Sequence, residues 1–173
     1  MNRRLVTVTV VALALAGLVV SPSSLAAAHA SSYVITGAKT IDGYKVGTTY
    51  AQALRYLGSP YSTTQSSTAC IARWTSGVTI TWHRRLPATN WAKACTRFSY
   101  ATVKHGKSAR ATWRTDKGLR VGAAQSQVKK LYPVARSKRS NGYTVWNLTK
   151  ASTISLQAWV KQGQVAFFRL TTS

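Results

Sequence analysis

Acidic residues are almost absent from this chain. It contains no glutamate and only two aspartates, Asp42 and Asp116, against 24 lysines and arginines, and its formal net charge at neutral pH is +22. Two carboxylates supply few general acids, cannot form an acidic metal cluster and can join at most two ordinary salt bridges. The composition therefore argues against most hydrolytic enzymes. It favours a protein that binds polyanions or one that is adapted to acid.

Long apolar segments are also absent, except at the N-terminus. The basic start at residues 2–4 is followed by an apolar run from Leu5 to Val20 and then by the small residues Ala28-His29-Ala30. This pattern predicts a secretory signal peptide over residues 1–30, cleaved after Ala30 or at the alternatives Ala27 and Ala28. An uncleaved membrane anchor is the other interpretation, but the run falls short of the ~20 residues that span a bilayer. We therefore expect a protein that is secreted, extracellular or associated with the cell wall.

Cysteine is rare, and the two cysteines, Cys70 and Cys95, both follow the predicted signal peptide. An even pair in an exported chain predicts a disulfide bond. On the chain-entropy model, that bond would stabilise the fold by about 3 kcal/mol. The alternative is a metal site that adds His83 and His105, but these four residues lack the closely spaced ligand pair of zinc sites. No metal and no other cofactor is therefore implied.

A short motif occurs twice. Gly43-Tyr44-Lys45-Val46-Gly47 returns as Gly118-Leu119-Arg120-Val121-Gly122, and Gly43, Gly47, Gly118 and Gly122 are expected to form turns. Amphipathic patterns over 48–58 and 123–132 predict a short helix after each motif. We therefore expect a linker at residues 31–39, a first repeat at 40–114 that carries the disulfide, and a second repeat at 115–173. Asp42 and Asp116 enter the two turns, where we expect each to brace the backbone through a local hydrogen bond.

Strand patterns follow each predicted helix. The predicted strands cover residues 69–74, 78–83, 97–104, 108–115, 142–148, 153–161 and 164–171. Apolar and polar residues alternate over 153–161, which indicates a strand with one buried face. The predicted fold class is α+β: two tandem repeats of a short helix plus antiparallel strands, with the helices packed on one face of the sheet.

These residues resemble a known fold. The relevant features are Cys70 to Trp74, Cys95, the run Trp113-Arg114-Thr115-Asp116-Lys117-Gly118-Leu119-Arg120-Val121-Gly122, Tyr132-Pro133 and Trp146-Asn147-Leu148. Together they resemble the beta-lactamase inhibitory protein fold, and the small lipoprotein of the outer-membrane assembly machine carries the same helix-plus-sheet unit once. They are most similar to exported actinobacterial-type proteins of unknown role. The resemblance implies a concave sheet that binds partner proteins. Only the first unit carries cysteines and the surface is strongly basic, so inhibition of a beta-lactamase is not implied.

The sequence offers little for catalysis. No serine lies in a Gly-x-Ser-x-Gly context, and neither His83 nor His105 has an acidic neighbour in sequence to orient it. The chain also lacks a Walker loop and a dinucleotide fingerprint. We therefore predict a protein that is not an enzyme. The alternative is a small hydrolase that uses His83 or His105.

Basic residues are spread along the whole chain and form several clusters. The candidate polyanion-binding residues are Arg84, Arg85, Lys104, Lys107, Arg110, Lys129, Lys130, Arg136, Lys138 and Arg139. Trp82, Trp91 and Tyr100 are candidate aromatic contacts, because a ring beside a cation can stack on a base or a sugar. Trp91 is expected to be the most exposed of the aromatic residues. The tryptophans Trp74, Trp82, Trp113, Trp146 and Trp159 are otherwise expected mostly in the core.

Charge, export signal and lack of catalytic motifs together predict a secreted, non-catalytic binding module. Its expected partner is an acidic protein, a cell-wall polymer or another polyanion of the cell envelope. Nucleic acid would bind only nonspecifically, and membranes only through surface electrostatics. The alternative is an acid-adapted extracellular protein whose charge reflects its environment, since a chain with two carboxylates loses little stability when they are protonated.

Overall fold

The computed structural model describes residues 33–85, 90–106, 113–151 and 153–172. These residues form twelve β-strands and three short helices. In chain order the elements are β1 (Val34–Thr36), β2 (Thr40–Ile41), β3 (Tyr44–Lys45), α1 (Tyr50–Leu57), β4 (Ser62–Gln65), β5 (Ala69–Arg73), β6 (Val78–His83), α2 (Trp91–Ala94), β7 (Arg97–Val103), β8 (Arg114–Thr115), α3 (Gln125–Leu131), β9 (Arg136–Ser140), β10 (Tyr143–Ala151), β11 (Ile154–Lys161) and β12 (Gln164–Thr172). The predicted signal peptide and its cleavage site lie outside the described residues. Within those residues, no helix is long and apolar enough to cross a membrane.

Helix α1 begins and ends where local chemistry requires. The Thr49 hydroxyl caps its N-terminus by accepting from the Gln52 amide at 3.5 Å, and Gly58, at φ 72°, ends it by donating to the Leu54 carbonyl. Glycine suits that position because it adopts positive φ without steric penalty. The predicted helix over 48–58 is therefore present, but it begins two residues later and ends one residue earlier than predicted.

Eight strands form one antiparallel sheet in the order β4-β5-β6-β7-β12-β11-β10-β9. Strands β4 to β7 form one meander and β9 to β12 form another. The two meanders join where β7 pairs with β12. The strand β9 is an edge strand in which three of five residues are basic, a composition that discourages pairing with another chain.

The remaining four strands form a small sheet in the order β3-β2-β1-β8. Strand β1 pairs in parallel with β8, with Val34 opposite Arg114 and Ile35 opposite Thr115. The β2–β3 hairpin turns at Asp42 and Gly43, with φ of 48° and 82°. Two residues with positive φ produce the primed turn that matches strand twist, which is why Asp-Gly is favoured there.

The predicted fold class, α+β with two tandem repeats and helices packed on one face of the sheet, is wrong. The described residues are mainly β and form two sheets, and the helices contribute few residues. Residues 34–36, which were expected in a linker, form β1, and β1 pairs with β8 across the predicted repeat boundary. The second layer is thus a composite of a small sheet and short helices. Its two-residue strands are too short to leave a period-two pattern in the sequence.

One hydrophobic core lies between the large sheet and this composite layer. Trp82 is fully buried, and its indole donates to the Thr48 carbonyl at 3.0 Å. The Tyr44 hydroxyl donates to the same carbonyl at 2.9 Å. The Trp113 indole, also buried, donates to the Ser76 carbonyl at 2.6 Å. These three buried aromatic donors each have a backbone acceptor, which offsets the cost of burying them.

The predicted disulfide bond is confirmed. Cys70 on β5 is bonded to Cys95 at the end of α2, with a Cα–Cα distance of 5.9 Å. Both residues are fully buried. The bond attaches α2 and the following chain to the large sheet.

Tyr44 gives the fold a testable dependence on alkaline pH. Burial raises the pKa of Tyr44 from 10.0 to about 12, so the folded state holds the phenolic proton more tightly than the unfolded state does. The contribution of this protonated phenol to the free energy of unfolding is complete below pH 10 and is lost as the pH rises through about 12. We expect the free energy of unfolding of the wild-type protein to fall by about 2–3 kcal/mol more than that of Tyr44→Phe over this interval. Urea unfolding at several pH values measures the difference. A pH-independent difference between the two proteins would contradict this account.

Candidate polyanion-binding face

The two faces of the large sheet differ in character. Residues such as Ile80, Ala158 and Phe168 point into the core and are fully buried, and the alternating positions point to the opposite face, here called the outer face. Directly paired residues on neighbouring strands share a face. One such row, here called the outer row, crosses all eight strands. From β4 to β9 it comprises Ser62, Arg73, Thr79, Thr102, Arg169, Gln157, Asn147 and Arg136.

The arginines of the outer row are evenly spaced. Arg73, Arg169 and Arg136 occupy every third strand, so neighbouring arginine Cα atoms are about 14 Å apart along the row. The positions between them carry hydroxyl or amide side chains, and every member of the row is half-buried or exposed. Neither carboxylate of the chain belongs to the face, because Asp42 and Asp116 lie at turns of the small sheet. The outer face is therefore positive across its full width.

Arg169 at the centre of the row lies between two aromatic rings. Its guanidinium carbon is 4.3 Å from the ring centroid of Tyr100 and 5.6 Å from that of Trp159. Its Nε atom is buried and has no hydrogen-bond partner in the described part of the structure. The rings hold the cation in place by cation–π attraction and limit its contact with water. A half-buried guanidinium held between rings is suited to bind a carboxylate or a phosphate through its terminal Nη groups.

An aromatic cluster fixes Trp159 beside Arg169. Trp159 and Phe167 are stacked with ring centroids 5.2 Å apart, and Tyr143 meets each ring edge-on at 5.5 Å. The cluster covers Val145, which pairs with Trp159 and is only 1% exposed although it lies on the outer face. The Lys161 ammonium lies 5.6 Å from the Tyr143 ring centroid. Since the rings contact one another, the cluster is a local apolar centre that supports the cations around it.

Hydrogen bonds continue from this cluster along the row. The Trp159 indole donates to Gln157 Oε1 at 3.1 Å, and Gln157 Nε2 donates to Asn147 Oδ1 at 3.0 Å. These two bonds fix the orientation of both amides. The exposed Asn147 side chain retains its amide nitrogen as a donor.

Two depressions adjoin the row. One of 510 Å³ includes Asn147 and Gln157 in its lining, together with Lys150, Ser155 and Thr171. The other, of 280 Å³, lies at the far end of the row. It is lined by Tyr61, Arg73, Trp74, Gly77, Thr79, Lys104, His105 and Gly106. Each depression therefore brings an additional lysine to the row, Lys150 in the first and Lys104 in the second.

Some predicted polyanion-binding residues lie at this face. Lys104 is exposed in the depression beside Arg73. Arg136 belongs to the row, and Lys138, opposite Val145, lies on the same face. Arg139 pairs with Thr144 and therefore projects on the other side of β9. Lys107 and Arg110 lie outside the described residues.

The other predicted basic residues lie elsewhere. Arg84 and Arg85 follow β6, where Arg84 Nη1 donates to the Ser66 carbonyl at 3.0 Å. Lys129 and Lys130 are exposed on α3, and the Lys129 ammonium lies 5.9 Å from the ring of Trp146, a core residue. The structure therefore separates the basic clusters of the sequence instead of joining them into one surface.

The aromatic predictions have mixed outcomes. Trp82 has no exposed surface and cannot contact a ligand, so that prediction is wrong; its side chain points into the core although basic residues follow it in sequence. Trp91 is half-buried against Tyr50, with ring centroids 5.1 Å apart, and is not an exposed aromatic. Tyr100 is on the outer face against Arg169. Trp159 was expected in the core and lies instead on the outer face.

Several residues of this face were not predicted from the sequence. They are Arg73, Tyr143, Asn147, Gln157, Phe167 and Arg169. Strand periodicity was the available signal, because in β11 the residues Gln157 and Trp159 alternate with the apolar residues of the buried face. Pairing register, which places Arg73 and Arg136 in the same row, cannot be read from the sequence.

The turn residues behave largely as expected. Gly43, Gly47, Gly118 and Gly122 all have positive φ, at 82°, 99°, 83° and 86°. The Asp116 carboxylate accepts from the amides of Gly37 at 3.1 Å and Lys117 at 2.9 Å, so it braces its turn. Burial raises the pKa of Asp42, which lines a 250 Å³ cavity with Tyr33, Tyr56 and Trp74 among others. In the described ranges, no three metal-ligating side chains come together.

Comparison with known proteins gives the fold alone. No family model matches the chain, and no curated protein matches it. A DUF4309 family protein from Bacillus subtilis has a similar structure, with a TM-score of 0.50 and 11% sequence identity over 77% of this chain and 84% of that chain. An extracellular protein containing an SCP domain from Bacillus anthracis has a TM-score of 0.44 and 10% identity, over 74% of this chain and 44% of that chain. No family model supports the resemblance to the beta-lactamase inhibitory protein.

Proposed function

We propose that this protein is an exported, non-catalytic module that binds a polyanion across the outer face of its large sheet. The observation that carries the proposal is the outer row, in which Arg73, Arg169 and Arg136 recur at every third strand without a carboxylate among them. Lys138, on the same face, adds charge beside the row. A polyanion that spans the row would contact several of these cations at once, which raises its affinity over that of a single contact.

The arrangement of Arg169 supports binding instead of a purely environmental role for the charge. A cation that only kept the surface soluble would be fully hydrated, whereas this guanidinium lies between Tyr100 and Trp159 with a buried, unpartnered Nε. The two rings position this half-buried guanidinium on the outer face, where a carboxylate or phosphate would bind through its Nη groups. The disulfide is compatible with export, and we propose that the signal peptide is cleaved near Ala30 and that the mature protein acts outside the cell or at the cell wall.

A pair of charge-matched variants tests the proposal. One variant, the outer-row variant, replaces Arg73, Arg136 and Arg169 with glutamine. The control makes the same replacement at Arg84, Arg85 and Lys129, which lie off the outer face. Binding to heparin is measured as a function of salt concentration. Each cation that contacts the polymer contributes about one to the slope of log K against log salt. We expect the outer-row variant to lose about three from that slope and the control to lose less than one.

Equal losses in the two variants would show that binding depends on net charge and not on the outer face, which contradicts the proposal. Thermal melting of both variants accompanies the measurement. Because all six replaced residues are half-buried or exposed, both variants are expected to fold.

A further inference from the structure

We propose that the ligand is a linear anionic polymer in which hydroxyl-bearing units separate the charged groups, and that it lies along the outer row across the strands. Acidic polysaccharides and polyol phosphates have this chemistry. The inference rests on the proposed function and adds the class of ligand and its direction.

The composition of the row points to this class. Between Arg73 and Arg169 lie Thr79 and Thr102, and between Arg169 and Arg136 lie Gln157 and Asn147. Hydroxyl and amide groups each donate and accept hydrogen bonds, as the hydroxyls of a sugar or polyol do. A polymer with directly adjoining charges would instead be matched by a cation on every strand. The row thus alternates one charged position with two neutral ones.

The depression beside Asn147 and Gln157 supports the same chemistry. The lining of this 510 Å³ depression includes the polar side chains of Gln157, Ser155 and Thr171 together with apolar surface. Lys150 is the only cation among its lining residues. A hydroxylated unit of the polymer would find donors and acceptors there, whereas its charged groups would lie at the neighbouring arginines.

Sheet twist favours a flexible chain. Adjacent strands rotate by about 20–25° relative to each other, so the row from Arg73 to Arg136 turns through a large angle over about 29 Å. A single flexible polymer can follow this path. Duplex DNA cannot, because its persistence length of about 50 nm far exceeds the row.

The experiment compares polymers and uses variants that leave the charge unchanged. The full mature chain is titrated calorimetrically with poly(glycerol phosphate), hyaluronan, inorganic polyphosphate and duplex DNA at equal concentrations of charge. The test variant carries Thr102→Val and Asn147→Ala. The control carries Thr102→Ser and Asn147→Gln, which retain the hydroxyl and the amide.

We expect the wild-type protein to bind poly(glycerol phosphate), hyaluronan or both more tightly than polyphosphate and DNA. Whichever of the two binds more tightly identifies a phosphate-bearing polyol or a carboxylate-bearing sugar. The test variant should lose about tenfold in affinity for the hydroxylated polymer, the effect of about two hydrogen bonds, and less than twofold for polyphosphate. The control variant should bind as the wild type does.

Two outcomes overturn the inference and leave the proposed function standing. One is a wild-type preference for polyphosphate or duplex DNA that is lost in the outer-row arginine variant. The other is unchanged binding of the hydroxylated polymers by the test variant. If the outer-row arginine variant binds every polymer as its charge-matched control does, the proposed function fails and the inference fails with it. Melting temperatures confirm that each variant is folded.

Discussion

Replacing Gly77 with alanine is expected to lower the free energy of unfolding by at least about 3 kcal/mol. Gly77 precedes β6 and has a φ of 93°, a conformation that residues with a Cβ rarely adopt. An added Cβ would clash with the Lys104 carbonyl oxygen and would lie 2.8 Å from the Gly106 amide nitrogen. These are backbone atoms, so the clash cannot be relieved by moving a flexible side chain. The Gly77 carbonyl also accepts from the Lys104 amide, which ties the two segments together.

Gly163→Ala is the matched control. Gly163 has a φ of 75° in the β11–β12 turn, and an added Cβ there would meet no atom within 4 Å. This variant should lose only the conformational term of about 1–2 kcal/mol. The difference between the two variants in the free energy of unfolding, measured in urea, separates the cost of the clash at Gly77 from the cost of the positive φ. Equal destabilisation of the two proteins would contradict the close packing of Gly77 against the 104–106 segment.

Breaking the Cys70–Cys95 bond is expected to destabilise the protein by about 3 kcal/mol, or a fall in melting temperature of about 10 °C. The bond closes a loop with a sequence separation of 25 and so restricts the unfolded chain. Its loss matters more here than in a neutral protein, because excess positive charge already opposes the compact state. Thermal melts with and without reductant measure the effect, and the Cys70→Ala/Cys95→Ala variant provides the comparison without reductant.

The dependence of stability on ionic strength provides a further test of the disulfide's contribution. At about 0.1 M, salt screens the repulsion between cations that are more than about 10 Å apart. The reduced protein should therefore recover part of its lost stability when salt is added, and the oxidised protein should gain less. A reduced protein that melts within a degree or two of the oxidised one would show that the disulfide contributes little.

Elements with long, regular patterns were predictable from the sequence. Strand β6, Val78–His83, has the predicted bounds, and β11 and β12 each differ from the predicted strands by one residue. These strands have one buried face, so alternation of apolar and polar residues marks them directly. Helix α1 was predictable from its amphipathic pattern and from Gly58, which ends it.

Short or strongly charged elements were not predictable. Strands β2 and β3 have two residues each, too few to display a period. Strand β9, Arg136–Ser140, has no buried side at all and was interpreted only as a basic cluster. The fold class failed for the same reason, since the small sheet is built from such segments.

Only the positive charge of the candidate site was predictable from the sequence. Clusters of cations along the sequence suggested Arg84 and Arg85 and missed Arg169, whose partners Tyr100 and Trp159 lie on other strands. Which residues meet across a sheet depends on strand order and register, and both are set by long-range packing. Composition therefore predicted a polyanion ligand, and the face on which we propose that it binds follows only from the structure.

The most direct test of the binding face is an NMR titration of the mature protein with a heparin oligosaccharide, followed through the arginine Nε–Hε signals. Binding at the outer face predicts that the signals of Arg73, Arg136 and Arg169 shift together and saturate at one concentration, with little change at Arg84 and Arg85. Largest shifts at Arg84 and Arg85, or small and uniform shifts at all arginines, would contradict the assignment of binding to this face.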